Sequence, residues 1–522
     1  MKRKILPLNL LAVLLMILVS CSKQLDLSPV STISNANYWT AASSFDAFAT
    51  GLHTRFRTDN ANFQVLGEMR SDIFGTDPGN SGSFTGEATQ GAERTWLNSM
   101  NLDNVFGQGN FSGFYYNIVQ INLFISQLRN TSLLTQAKKN QYLGLAYGMR
   151  AYYYYHLLKS WGGVVLQTDP VVGFDISNLA KASNSLSQTI SLIKADIDSS
   201  VANYGTNYSF DAGNGKYFWS KAATLMLKAD VYLWTSYRGG GTTDATTALN
   251  AVNDIQTNVA GLSLVSSFPN VFATTNRANA EIIFASRYLY NEANMNFVTN
   301  SFVPQTSLIS NFYDSVNNAK FNPNTTGNWG GLLRAPVKIA SFRQFDPKDS
   351  RALSSIQPAY NLVAGKYVIA GCFANKYQGE FQNGNRVITN DYPIYRYAEL
   401  LLFKAEAEIA LGQSPATEIN LVRARAFGAN YNTATYGYPN QLIDASPKDA
   451  LLQERLYEFI FEGKRWYDLV RLDPNGSYVY KYVMPAANFL NTDPAGRLLW
   501  PIDRSSLTNN RLLVQTAGYS SF

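Results

Sequence analysis

The chain has 522 residues, of which 46% are hydrophobic and 15% charged, with a formal charge of +6. That length can bury a large core, as one big domain or a few intergrown ones, and that composition describes a globular, rather uncharged body. No basic run accompanies the positive charge, which excludes the electrostatic footprint of a nucleic-acid binder.

The chain opens on Lys2-Arg3-Lys4, followed by an apolar stretch from Ile5 to Val19 that Pro7 and Asn9 interrupt. A basic start, a short apolar segment and small residues before a cut predict a secretory signal peptide over residues 1–20. The stretch is too short for a comfortable membrane span. Leu18-Val19-Ser20-Cys21 has the form of a bacterial lipobox, so Cys21 is expected to carry acyl chains and to become the first mature residue. An ordinary signal peptide with an incidental cysteine is the plainer alternative. Removal of residues 1–20 leaves 502 residues, and loss of the three leading basic residues lowers the charge from +6 to +3. Cys372 is then the one other cysteine, so no internal disulfide is expected, and Cys372 reads as a small buried hydrophobe.

Residues 22–37 are polar and read as a tether that wraps onto the body. Helical periodicity begins near Ser43, with Phe45, Phe48, Ala49 and Leu52 on one face. Residues 75–113 are rich in Gly, Asn, Ser and Thr and predict long surface loops. Helices are then expected over Phe114 to Leu128, Gln136 to Trp161, a stretch opened by the capping box Ser185-x-x-Gln188, and Trp219 to Tyr237. Gly162-Gly163 and Gly239-Gly240-Gly241 serve as stops. Residues 262–390 change character: short β-like runs such as Glu281 to Ala285 alternate with Asn/Gly/Pro loops. Helices return over Tyr397 to Ala410, Pro415 to Phe427 and a segment opened by Ser446-Pro447-Lys448-Asp449, a second capping box. Helix pairs of similar length suggest tetratricopeptide-like stacking.

Several passages together resemble the SusD/RagB family of Bacteroidetes outer-membrane lipoproteins. They are Asp391-Tyr392-Pro393-Ile394-Tyr395-Arg396-Tyr397-Ala398-Glu399, Glu454-Arg455-Leu456-Tyr457-Glu458-Phe459, Glu462-Gly463-Lys464-Arg465-Trp466-Tyr467-Asp468-Leu469 and Trp500-Pro501-Ile502-Asp503. Arg150-Ala151-Tyr152-Tyr153-Tyr154-Tyr155 and Ser220-Lys221-Ala222-Ala223 agree in the first half. Asp503 stands where a second proline is common, and Thr516-Ala517 where Asn-Pro is usual. The resemblance implies a mainly α, SusD-like fold with tetratricopeptide-like helix pairs and a loop-rich binding face containing short β-strands. Its N-terminal helical region would span 21–240 and its C-terminal region 260–522, packed as one body. It further implies a lipid-anchored outer-membrane protein that binds a glycan, or alternatively a peptide, and delivers it to a SusC-like TonB-dependent transporter.

Glu454, Glu458 and Glu462 recur at helical spacing beside Arg455, Lys464, Arg465 and Arg471. A lipid-anchored glycosidase would use two such carboxylates as acid and base. Carboxylates among arginines are held ionised, whereas a general acid needs a raised pKa, so an ion-pair network is the expected reading. His53 and His156 lie far apart without neighbouring ligands, no Gly-x-Ser-x-Gly elbow occurs, and the triple glycine lacks the Lys-Ser/Thr of a phosphate loop. No cofactor, metal or catalytic residue is expected. Recognition of sugars needs flat rings for C–H faces and polar partners for hydroxyls. The candidates are aromatics in polar loops, Trp96, Tyr288, Tyr290 and Trp329, with Asp72, Asn98, Asn101 and Arg287 as polar partners.

Overall fold

The computed structural model of the chain describes residues 38–76, 84, 91–103, 111–171, 180–483 and 498–521. The expected signal peptide, Cys21, the tether and part of the expected loop stretch 75–113 lie outside the described residues. The longer helices are α1 (Ala42–Glu68), α2 (Gly113–Asn130), α3 (Gln136–Trp161), α4 (Leu186–Tyr204), α5 (Lys221–Thr235) and α6 (Gly241–Asn258) in the first half. The second half adds α7 (Tyr397–Ala410), α8 (Ala416–Phe427), α9 (Pro447–Phe459) and α10 (Arg465–Arg471). Each helix packs on the next in chain order from α1 to α8, the tetratricopeptide-like arrangement that the paired lengths suggest. Among the described residues no helix is long and apolar enough to cross a membrane.

Local chemistry sets the helix ends. Ser185 and Gln188 form the full reciprocal box at the start of α4. Thr135 and Ser220 each accept one backbone N–H at α3 and α5. At α9 the expected box is only half made: Ser446 Oγ accepts from Asp449 N at 3.1 Å, but the return bond runs from that hydroxyl to the Asp449 carboxylate. The expected helix Trp219 to Tyr237 ends earlier, at Thr235. The triple glycine is a tight turn in which Gly239 and Gly241 adopt positive φ, after which α6 starts at once. Sequence reading missed α6, because its buried stripe of Ala245, Ala248, Ala251, Val252 and Ile255 is mostly alanine.

The core is aromatic, and α3 is its axis. From Tyr142 to Trp161 every residue of α3 is buried. A tyrosine can be buried there because its ring fills space and its hydroxyl finds an acceptor. Tyr153 donates to Asp59 Oδ2 at 2.7 Å, Tyr154 to the Gln167 carbonyl at 2.7 Å, and Tyr155 to Asp230 Oδ1 at 3.0 Å.

The stretch 262–390 carries the strands. β1 (Ile282–Ser286) pairs antiparallel with β8 (Tyr392–Arg396), which runs straight into α7. β2 (Tyr313–Asp314), β3 (Ala319–Lys320), β4 (Ile356–Val363) and β5 (Lys366–Ala374) form a sheet in the order β3-β2-β4-β5. β6 (Glu380–Gln382) and β7 (Asn385–Val387) form a separate hairpin. Its two-residue turn is Asn383-Gly384, with φ of 51° and 77°, the positive pair that a primed hairpin turn demands. Cys372 is fully buried on β5, as expected.

Candidate functional site

The glutamate face is structural in geometry. Arg396 is fully buried and bridges three carboxylates: Glu281 at 2.6 Å, Glu458 at 2.6 Å and Glu462 at 2.8 Å. Arg351 joins Asp349, Glu454 and Glu458, Arg423 joins Glu454, and Arg425 joins Glu281 and Glu458. Lys376 closes the network on Glu462 at 2.8 Å. Burial alone would push the Glu458 carboxyl up, but Arg425, Arg396 and Arg351 outweigh it and hold it well below the usual range. Glu462 is lowered in the same way, by Arg396 and Lys376 against burial. One expectation needs correcting. Glu462 does not lie on the helix of Glu454 and Glu458, because α9 ends at Phe459 and Phe461 turns to a φ of 67°. The two Glu68 carboxyl oxygens accept from the freed amides of Phe461 and Gly463 at 2.6 and 2.9 Å, which stabilises that break. Gly463 approaches α1 so closely that a Cβ on Gly67 would sit 1.8 Å from its carbonyl oxygen.

The eight residues expected to touch ligand fall into three neighbourhoods. In the first, Asp72 accepts a two-pronged bond from Arg465 at 2.9 and 2.8 Å, and Asn98 accepts from Arg70 Nε at 2.8 Å. Both are buried and serve the scaffold. Trp96 stands beside them, half-buried against Gly75, its indole N–H without an acceptor among the described residues. Leu97 and Asn101 are exposed next to it. In the second neighbourhood Arg287 is exposed and pairs with Glu292 at 3.3 Å, while Arg57 pairs with the same glutamate. Tyr288 is only 4% exposed, with its hydroxyl donating to the Arg57 carbonyl at 3.0 Å.

The third neighbourhood gathers Tyr290, Trp329 and the β6–β7 hairpin. Asn383 in the hairpin turn donates to the Tyr290 hydroxyl at 3.2 Å, and Tyr290 is half-buried. Trp329 is 4% exposed, against the expectation that a glycine-flanked loop would leave its ring open. Its edge meets Phe373 at 5.5 Å, and the Arg386 guanidinium covers it at 4.1 Å. Burial lowers the Arg386 pKa to about 10. The accessible ring here is Phe381, 46% exposed on β6, with Arg386 4.7 Å from its centroid. Sequence reading passed over Phe381, although the Asn-Gly turn behind it was a legible hairpin signal. Among the described residues no group of three or more His, Cys, Asp and Glu could hold a metal ion.

The fold recurs in known proteins. Residues 346–519 match the model of the SusD family, and residues 33–233 match a model described as starch-binding associating with outer membrane. B. fragilis NanU is 41% identical and superposes with a TM-score of 0.85, covering 95% of this chain and 100% of its own. A SusD superfamily protein from Bacteroides vulgatus is 37% identical with a TM-score of 0.81, covering 92% of this chain and 99% of its own. SusD-like protein P38 of Formosa agariphila is 25% identical over 98% of both chains. With family matches in both halves and likeness along almost its whole length, the chain belongs to the SusD family.

Proposed function

We propose that this protein is a cell-surface, nutrient-binding lipoprotein that captures a glycan on its loops and hands it to a SusC-like TonB-dependent transporter in the outer membrane. Lipid on Cys21 would hold it there, with the body outside the bilayer. The observation that carries the binding reading is the set of surface side chains on a rigid scaffold: half-buried Trp96, at the end of a short helix over Ala92–Trp96, with exposed Asn101, and exposed Phe381 on β6 with half-buried Tyr290. Flat rings receive the C–H faces of sugars, and amides and guanidinium groups receive their hydroxyls. Loops placed by a stiff framework are where binding residues concentrate. The match to a model described as starch-binding points the same way. In this reading Asp72, Asn98, Tyr288 and Trp329 support the site from below, and Trp96, Asn101, Arg287 and Tyr290 are its contacts. A binding role also suits the glutamate face, whose carboxylates are committed to arginines.

The test is a screen of neutral and charged glycans against the mature chain, with Trp96→Ala and Phe381→Ala alongside. Loss of a stacked ring costs roughly 1–2 kcal/mol, so each variant should bind about 5–30-fold more weakly while folding normally. Unchanged affinity in both variants would remove the site. Release of shortened products from any glycan would replace binding with catalysis, and a peptide co-purifying with a glycan-silent protein would replace the ligand class. Growth on labelled palmitate, with Cys21→Ser as the control, tests the anchor.

A further inference from the structure

A separate cleft of ≈ 820 Å³ opens in the C-terminal half, between the Arg343–Asp346 segment, the loop around Thr435 to Ala445, one face of α9 and Lys481-Tyr482. Its size falls within the range of small-molecule sites. Three half-buried tyrosines, Tyr436, Tyr457 and Tyr482, line it. Each is fixed at both ends. Behind Tyr436 lies Phe427 in a parallel stack at 3.8 Å, behind Tyr457 lies Phe345 at 4.5 Å, and Tyr482 stacks with Tyr478 at 6.4 Å. Each hydroxyl donates to a neighbouring acceptor: Tyr436 to Asp346 at 3.4 Å, Tyr457 to the Gln344 carbonyl, and Tyr482 to Asp449 at 2.6 Å. A ring held in this way offers its remaining surface at little entropic cost, which is the preorganisation a binding platform needs.

The charges of the cleft indicate the ligand class. Arg343, Arg351, Arg423 and Lys481 are matched in number by Asp346, Asp349, Asp449 and Glu454. Most of these are paired with one another: Arg351 with Asp349 and Glu454, Arg423 with Glu454, and Lys481 with Asp449. The lining therefore carries no net formal charge that would favour an anion or a cation. What remains for recognition is chiefly ring surface, with the Gln344 and Gln453 amides at its edge, which bond to each other at 3.3 Å, and Asn440, whose amide braces its own loop through Thr435 and Leu442; rings bordered by amides are the chemistry of a neutral polyhydroxylated ligand. We propose that this cleft is a second carbohydrate-binding site, for a neutral oligosaccharide of a few sugars, separate from the loop residues around Trp96 and Phe381. The proposal rests on the glycan reading above.

The experiment is hydrogen–deuterium exchange on the mature chain with maltoheptaose, laminarihexaose, xylohexaose and mannohexaose, each at millimolar concentration. At least one probe should slow exchange severalfold in peptides covering 432–445 and 453–457. Tyr436→Ala should abolish that protection, and Trp96→Ala should leave it in place. Tyr482→Ala on the opposite wall serves the same purpose should Tyr436→Ala fold poorly. Protection confined to 91–103 and 379–387 would overturn the second site and leave the glycan reading standing. Protection in neither region would overturn the second site, and together with a silent screen of charged glycans would overturn the glycan reading as well; cleft protection by a tryptic peptide pool but by no sugar would overturn the carbohydrate assignment.

Discussion

Arg396→Met tests the idea that the glutamate face is a framework. The guanidinium is fully buried and makes charge-assisted bonds to Glu281, Glu458 and Glu462, as well as donating to the Glu458 carbonyl at 2.7 Å. Methionine has a comparable length and no charge. Its introduction leaves three buried carboxylates short of a partner, although Arg425, Arg351 and Lys376 still reach them. Removing one side of a buried ion pair costs about 3–5 kcal/mol, and the surviving partners keep the loss from multiplying by three. Unfolding entropy of ~2.1 cal/mol/K per residue gives a body of this size about 1 kcal/mol per degree, so Tm should fall by about 3–5 °C at pH 7. Acid adds a second signature. Glu458 and Glu462 titrate below their ordinary value in the folded protein, so their stabilisation is fully present above the unfolded pKa and is lost progressively as pH falls from there through the folded one. The variant raises those folded values, and its acid unfolding should therefore begin at higher pH than that of the wild type. Calorimetry across pH 3–7 reads both effects. A Tm within about 1 °C of wild type together with an unmoved acid limb would refute the framework argument. Adding Glu458→Gln to the variant should recover part of the loss, since it removes a stranded charge.

Gly67→Ala should cost at least ~2 kcal/mol despite alanine's better helix propensity, because the new methyl would collide with the Gly463 carbonyl and separate α1 from the turn after α9; chemical denaturation reads this. His53 is held neutral, since burial lowers its pKa to about 4 while Nδ1 faces the Ala49 carbonyl and Nε2 accepts from Trp219 N. The unfolded chain takes up that proton near pH 6.5. Stability should therefore fall as pH drops from 6.5 through 4, by on the order of 3 kcal/mol, and the difference curve against His53→Gln should isolate this contribution. In a Cys21→Ser chain, Cys372 should resist iodoacetamide until the protein unfolds, because its side chain is fully buried; fast labelling of the native state would contradict the packing around β5.

The sequence alone was enough to predict most of the helices, because period and caps are local. Ser185 with Gln188 opens α4, and Tyr397 begins α7, where the pattern places them. The arginine-rich setting of Glu454 and Glu458 was likewise enough to foretell an ion-paired face. Local pattern could not tell that Glu462 leaves the helix, since Glu68 from α1 captures the amides there. Nor could it tell which loop rings remain accessible. Trp329 sits among glycines and polar residues, yet Arg386 and Phe373 come from distant strands to cover it, while Phe381 in a short hairpin is left open. Helices follow from neighbours three and four residues away, whereas the burial of a loop side chain depends on whichever distant segment the fold brings over it, and only the tertiary structure decides that.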